Sequence, residues 1–273
     1  MHDTTFSKPL RGMMLAPAAA IFAAFWLLPM AALVRISAGE GLAGYLAVLT
    51  NARYLRSLAT TLVLAGGVTA TAVALSLVAA LFLARHDFFG RRTLIAMLTL
   101  PLAFPGVVVG FMVIMLAGRQ GLVASATAAL SGHRVVFAYS LGGLFLGYLY
   151  FSIPRVILTL MAAAEKLDPA LEEAARSLGA SPWRVLRDIV LPALAPALAA
   201  AAALCFATAV GAFGTAFTLA TDIDVLPMVI YTAFTLNADL LTAAMLSLVL
   251  GAVTWFVLAW ADGLNGQTVA TGT

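Results

Sequence analysis

Six apolar runs divide this 273-residue chain, near 13–35, 57–84, 93–118, 135–160, 193–221 and 241–261. Each has roughly the 20 residues a helix needs to cross about 30 Å of hydrocarbon. Hydrophobic residues make up 63% of the sequence and charged ones only 10%, against about 45–50% and about 25% in soluble domains. So little polar surface cannot wrap a soluble core. In lipid every backbone polar group must be satisfied within the spanning element, and runs of this length do so as helices. The chain therefore reads as an all-α integral membrane protein with six transmembrane helices.

Lysine and arginine set the orientation. Lys8 and Arg11, then Arg85, Arg91 and Arg92, then Arg155, Lys166, Arg176, Arg184 and Arg187 fall on one side, ten in all. Arg35, Arg53, Arg56, Arg119 and Arg134 make five on the other. The positive side faces the cytoplasm, which places both termini there. Lys8 and Arg11 precede the first run as they would in a signal peptide, but its apolar length exceeds the roughly 7–15 residues of a signal core. It reads as a retained anchor. Pro17, Pro29, Pro101, Pro105 and Pro154 interrupt spans, and Gly106–Gly110 and Gly143–Gly147 have the spacing of close helix contacts, so the helices pack as a bundle.

Residues 162–192 form the longest polar interval, and within it "EAARSLGASPWRVLRDIVLP" carries strong local signals. Asp168 caps a helix whose first position is Pro169. Leu171, Ala174, Ala175 and Leu178 share one face, with a Glu172–Arg176 pair on another. Gly179 ends that helix in the left-handed conformation, and Ser181 with Pro182 starts a second one. Leu186 and Ile189 align on it, and Pro192 closes it. From the residues alone, two readings stand side by side. One is a docking element whose small alanines let another backbone approach; the other is a connector lying among lipid headgroups.

The same stretch resembles the EAA loop of binding-protein-dependent ABC importer permeases, whose pattern is EAA, three residues, G, nine residues, I, one residue, LP. Glu173, Ala174, Ala175, Gly179, Ile189, Leu191 and Pro192 match all seven specified positions. "IPRVILTLMAAAEKLDPALE" and "LPLAFPGVVVG" extend the likeness over about residues 57–260. The chain is similar to the permeases for polyamines, phosphonates, thiamine, ferric iron and sulfate.

The resemblance implies a type I ABC importer permease fold in a bacterial cytoplasmic (inner) membrane, with 1–273 as a single transmembrane permease domain. It implies that Glu173, Ala174, Ala175 and Gly179 dock on a cytoplasmic ATPase, and that Ile189, Leu191 and Pro192 anchor the second helix against the bundle. Its partners would be two ATP-binding subunits, a second permease (identical or paralogous) and an extracytoplasmic solute-binding protein. ATP and Mg would reside on the ATPase, with no cofactor on this chain.

Nothing in the sequence suggests chemistry of its own. It holds no GxxxxGK[ST] phosphate loop and no nucleophile elbow. His2, His86 and His133 lie far apart, and the single cysteine, Cys205, sits inside an apolar run as an inert thiol. A net charge of +3 needs no nucleic acid to explain it. In the fifth run Thr208, Gly211, Thr215, Thr218 and Asp222 recur at three- and four-residue steps. This small, polar stripe is either a translocation pathway or a helix-packing surface. Asp222, Asp224 and Asp239 gather near the outer side of the last hairpin. The rival to an ATP-driven importer is a secondary transporter driven by an ion gradient, which predicts paired intramembrane charges and inverted repeats.

Overall fold

The computed structural model describes residues 16–219 and 223–270, all of whose regular elements are helical. Six stretches are long and apolar enough to cross a membrane: Ala16–Thr50, Ala52–Arg85, Gly106–Ser131, Leu141–Ala164, Pro182–Val210 and Leu240–Ala261. The elements in chain order are α1 (Ala16–Thr50), α2 (Ala52–Arg85), α3 (Arg91–Thr99), α4 (Gly106–Ala117), α5 (Leu122–Ser131) and α6 (Leu141–Ala164). Then follow α7 (Pro169–Ser177), α8 (Pro182–Val210), α9 (Phe213–Leu219), α10 (Leu226–Leu236) and α11 (Leu240–Ala270).

Two compact units emerge from the internal contacts. The first combines the chain up to Ala52 with Ile230–Gly251. Here α1 is interrupted by a 3₁₀ turn at Ala38–Glu40 and a positive φ at Gly41. Ser37 closes the turn, donating to the Val34 carbonyl and accepting from the Tyr45 hydroxyl at 2.8 Å. A Cβ on Gly44 would stand 3.1 Å from Met245 Sδ, so α1 and the start of α11 approach closely there. The helical path through residues 37–50 was not visible in a sequence read as a polar interval.

The second unit, Arg53–Val229 with Ala252–Thr273, holds the elements that build the sites. At its centre α9 packs on α4 and α6, and α8 packs on α6. Leu144, Leu160, Val109, Val156, Leu194 and Leu219 are fully buried among them. Around Pro101 and Pro105, where proline removes an N–H donor, the helix gives way, whereas α6 and α8 continue through Pro154 and Pro196. A 3₁₀ turn at Leu100–Ala103 and extended backbone at Phe104 and Pro105 separate α3 from α4, so the apolar run 93–118 is not one helix. Likewise α8 contains a π turn at Leu186–Val190, immediately before Leu191 and Pro192. The run 193–221 also divides, at Gly211–Ala212 between α8 and α9. The polar interval 119–134 carries α5, which Gly132 terminates at φ +73°.

Candidate functional site

The helical pair of residues 168–192 is built from its caps. Asp168 accepts from the Ala170 N–H at 2.9 Å, with Pro169 at the first helical position of α7. At the other end the Gly179 N–H donates to the Arg176 carbonyl (2.9 Å) and the Ala180 N–H to the Ala175 carbonyl (3.0 Å). This is the paired closure that requires a left-handed residue, and Gly179 has φ +83°. Ser181 then accepts from the Arg184 N–H at 3.4 Å and starts α8 at Pro182.

Electrostatics holds α7 in place. Glu172 is 8% exposed. Arg85, at the end of α2, donates to one of its carboxylate oxygens, and Arg176 donates to the other at 3.1 Å. Nearby, Arg91 donates to the Leu83 carbonyl and to Glu165, both at 2.8 Å. The Glu172–Arg176 pair follows from helical spacing. The contribution of Arg85, 87 residues away, does not.

The large apolar side chains of α7 are left uncovered by its own chain. Leu171 is 59% exposed, Leu178 88% and Trp183, on the first turn of α8, 66%. Glu173, Ala174 and Gly179 are also exposed, and Ala175 is half-buried against a cluster of Val185, Val190 and Leu194. That cluster is where the second helix anchors. Ile189 and Leu191 are only half-buried and Pro192 is exposed, because the π turn shifts the inward face to Val190 and Leu194. Trp183, a single indole among arginines, is the surface residue that spacing arguments overlooked.

The polar stripe is split by the break at Gly211–Ala212. Thr208 sits near the end of α8 with its hydroxyl on the Leu204 and Cys205 carbonyls, both at 2.9 Å. Gly211 is exposed at the break. Thr215, in α9, is 1% exposed and donates to the Gly106 carbonyl at 3.0 Å. Thr218 donates to the Thr215 carbonyl at 3.0 Å. Asp222 lies outside the described residues. The two glycine spacings serve α9 directly: a Cβ on Gly110 would collide with Thr218 Oγ1, and one on Gly147 would stand 2.7 Å from Thr215 Cγ2. Helix packing thus accounts for Thr215 and Thr218, although Thr215 also borders open space.

That space is a cleft of about 280 Å³ between α6, the α8–α9 break and the α3–α4 linker. Phe151 and Arg155 line it from α6, Thr208 and Thr215 from the stripe, Phe104 from the linker and Gly106 from the start of α4. The Tyr148 hydroxyl pins the break by donating to the Ala212 carbonyl at 2.8 Å. Arg155, grouped above with loop charges, stands inside α6. Two of the acidic residues expected on the outer side have structural partners. Asp224 receives Arg53 Nε at 2.9 Å and Nη2 at 3.1 Å, which holds its carboxyl below the usual carboxylate value. Asp239 accepts from the Thr242 N–H at 3.0 Å as the cap of α11, with the same direction of shift. Among the described residues no cluster of His, Cys, Asp and Glu has the geometry to hold a metal.

Comparison with known proteins gives concordant matches. A family model described as "binding-protein-dependent transport system inner membrane component" covers residues 72–266. The molybdenum transport system permease protein ModB of Haemophilus influenzae is 32% identical over 161 residues, 58% of this chain and 69% of its own. The sulfate transport system permease protein CysT of Escherichia coli K12 is 34% identical over 197 residues, 72% of this chain and 70% of its own. A probable sulfate transport system permease protein cysT of Chlorella vulgaris is 40% identical over 132 residues; this match spans about half of each chain, 48%. In three dimensions the chain resembles a subunit of a bacterial alginate ABC transporter crystallised with its alginate pentasaccharide-bound periplasmic protein. The TM-score is 0.82 at 20% identity, covering 93% of both chains, a likeness of fold.

Proposed function

The chain belongs to the family of binding-protein-dependent transport system inner membrane components, and from that premise we propose that it is a permease domain forming half of an ATP-driven solute pathway. Family membership decides against the ion-gradient secondary transporter. The observation that carries the mechanism is the capped helix α7 with Leu171, Leu178 and Trp183 exposed beside it. Large apolar side chains exposed together mark a partner surface. Docked in a cleft of a cytoplasmic ATPase, α7 would pass movement to α2 through Arg85–Glu172 and to α8 through the Val185 cluster. Glu173, Ala174, Ala175 and Gly179 form the docking surface on this reading.

Of the stripe Thr208, Gly211, Thr215, Thr218 and Asp222, the residues that border the cleft are Thr208 and Thr215, and these two form the pathway side on this reading. Both termini and α7 are cytoplasmic; with Arg155 removed from the loop count, the basic bias is still nine to five. A second permease, two ATPases and an extracytoplasmic binding protein complete the importer. The solute is a small inorganic oxyanion, the class named for the sulfate and molybdenum relatives. The test is retention: the chain purified from membranes carries its cognate ATPase with it, and the Glu173→Lys variant, equally well inserted, does not. An unchanged yield of ATPase with Glu173→Lys would reduce α7 to a connector.

A further inference from the structure

We propose that Arg155 makes the cleft between α6 and α9 an oxyanion-binding station on the translocation route; the proposal deepens the permease reading and rests on it. Arg155 is the fifteenth of 24 residues in α6, nine residues before its end, or about 13 Å along the axis. An ionisable side chain within a span is costly and is retained where it pairs, lines water or serves transport.

Arg53, Arg85, Arg91, Arg176 and Arg187 each form an ion pair. Among the described residues Arg155 forms none, and none of the residues lining its cleft is acidic. The cleft therefore carries uncompensated positive charge. Its surroundings are also polar in the way an anion needs. Two helix interruptions meet there: the Phe104–Pro105 linker and the Gly211–Ala212 break.

Broken backbone at membrane depth is tolerated where it lines a cavity, and discontinuous helices aim free dipole ends at bound ions. The twelve-residue helix α4 begins at Gly106 on the cleft wall without a side-chain cap. A guanidinium offers a rigid fork of donors that matches the paired oxygens of an oxyanion. At about 280 Å³ the cleft has room for a small ion with part of its hydration, since a water occupies about 30 Å³. An arginine that merely reached toward lipid phosphate would leave the cleft neutral, and this difference can be measured.

The experiment uses the assembled transporter in proteoliposomes, with Thr208→Cys as the only reactive thiol in a Cys205→Ala background. Labelling rates are compared for an anionic (ethylsulfonate) and a cationic (trimethylammonium) methanethiosulfonate. The anionic reagent is expected to be favoured, and Arg155→Gln should lower the anionic-to-cationic rate ratio about tenfold or more. Millimolar sulfate or molybdate should slow labelling with Arg155 present and have no effect in the Arg155→Gln protein. Uptake of radiolabelled sulfate or molybdate should fall at least tenfold in Arg155→Gln and recover substantially in Arg155→Lys, which restores the charge without the fork. A rate ratio unmoved by Arg155→Gln, or anion protection that persists without the guanidinium, overturns the proposal. If the wild-type chain fails to retain its ATPase, the permease reading fails instead. The rate ratio reports on the cleft in either case.

Discussion

Gly179 shows how one residue's backbone can decide a site. Its φ of +83° is required by the hydrogen bonds that close α7, yet a Cβ there meets nothing within 4 Å. The cost of replacing it is therefore conformational, with no clash: about 1 kcal/mol for alanine and more for a β-branched side chain. Asparagine enters the left-handed region more readily. Gly179→Asn should keep the ATPase bound while Gly179→Val loses it, as read by co-purification; equal behaviour of the two would separate docking from the turn. Gly147 is the opposite case, an ordinary backbone with no room. Alanine there presses on Thr215 Cγ2 and should destabilise the protein by about 1–3 kcal/mol. Thr215→Ser removes that methyl and should restore part of the loss in thermal unfolding of the double variant.

Among the elements, those closed by neighbouring residues were the legible ones. Asp168, Pro169, Gly179, Ser181 and Pro182 act within a few positions of themselves, so the pair α7–α8 could be drawn from sequence. The interruption before α4 was signalled by Pro101 and Pro105. The break at Gly211–Ala212 carries no such mark, because glycine and alanine continue the small, apolar pattern, and only the packing of α9 on α4 and α6 reveals it. For the same reason the threonine stripe looked like one continuous face.

Arg53 and Asp224, 171 residues apart, form another contact beyond the reach of local pattern. The Asp224 carboxyl titrates below its ordinary value because Arg53 binds its charged form. Its contribution to stability is thus present above the unfolded pKa of about 3.9 and lost as pH falls through the lower folded value. The pair is half exposed, so Asp224→Asn should cost no more than about 1 kcal/mol. Melting curves of the two proteins should run parallel from pH 8 to pH 5 and converge only below about pH 4. Convergence near neutrality would show that the carboxyl is not held by Arg53.

For the whole molecule, the apolar runs define a membrane domain, and the proposed orientation, drawn from the flanking arginines, can be tested with single cysteines. One at Arg92 should be shielded from impermeant thiol reagents in intact cells, and one at Ser131 should react. Reversed labelling would put α7 on the wrong side of the membrane for an ATPase. Arg155 is the residue whose role the loop count concealed, since only the cleft shows that its charge belongs to the domain interior.

If α7 couples this domain to ATP hydrolysis in a partner, ATP turnover by the reconstituted complex, measured with and without the solute-loaded binding protein, depends on α7. Wild type and Arg92→Ala should both be stimulated, because Arg92 is exposed on α3 and forms no ion pair among the described residues. Glu173→Lys and Gly179→Val should insert normally and show no stimulation. Full stimulation in both variants would mean that α7 plays no part in coupling.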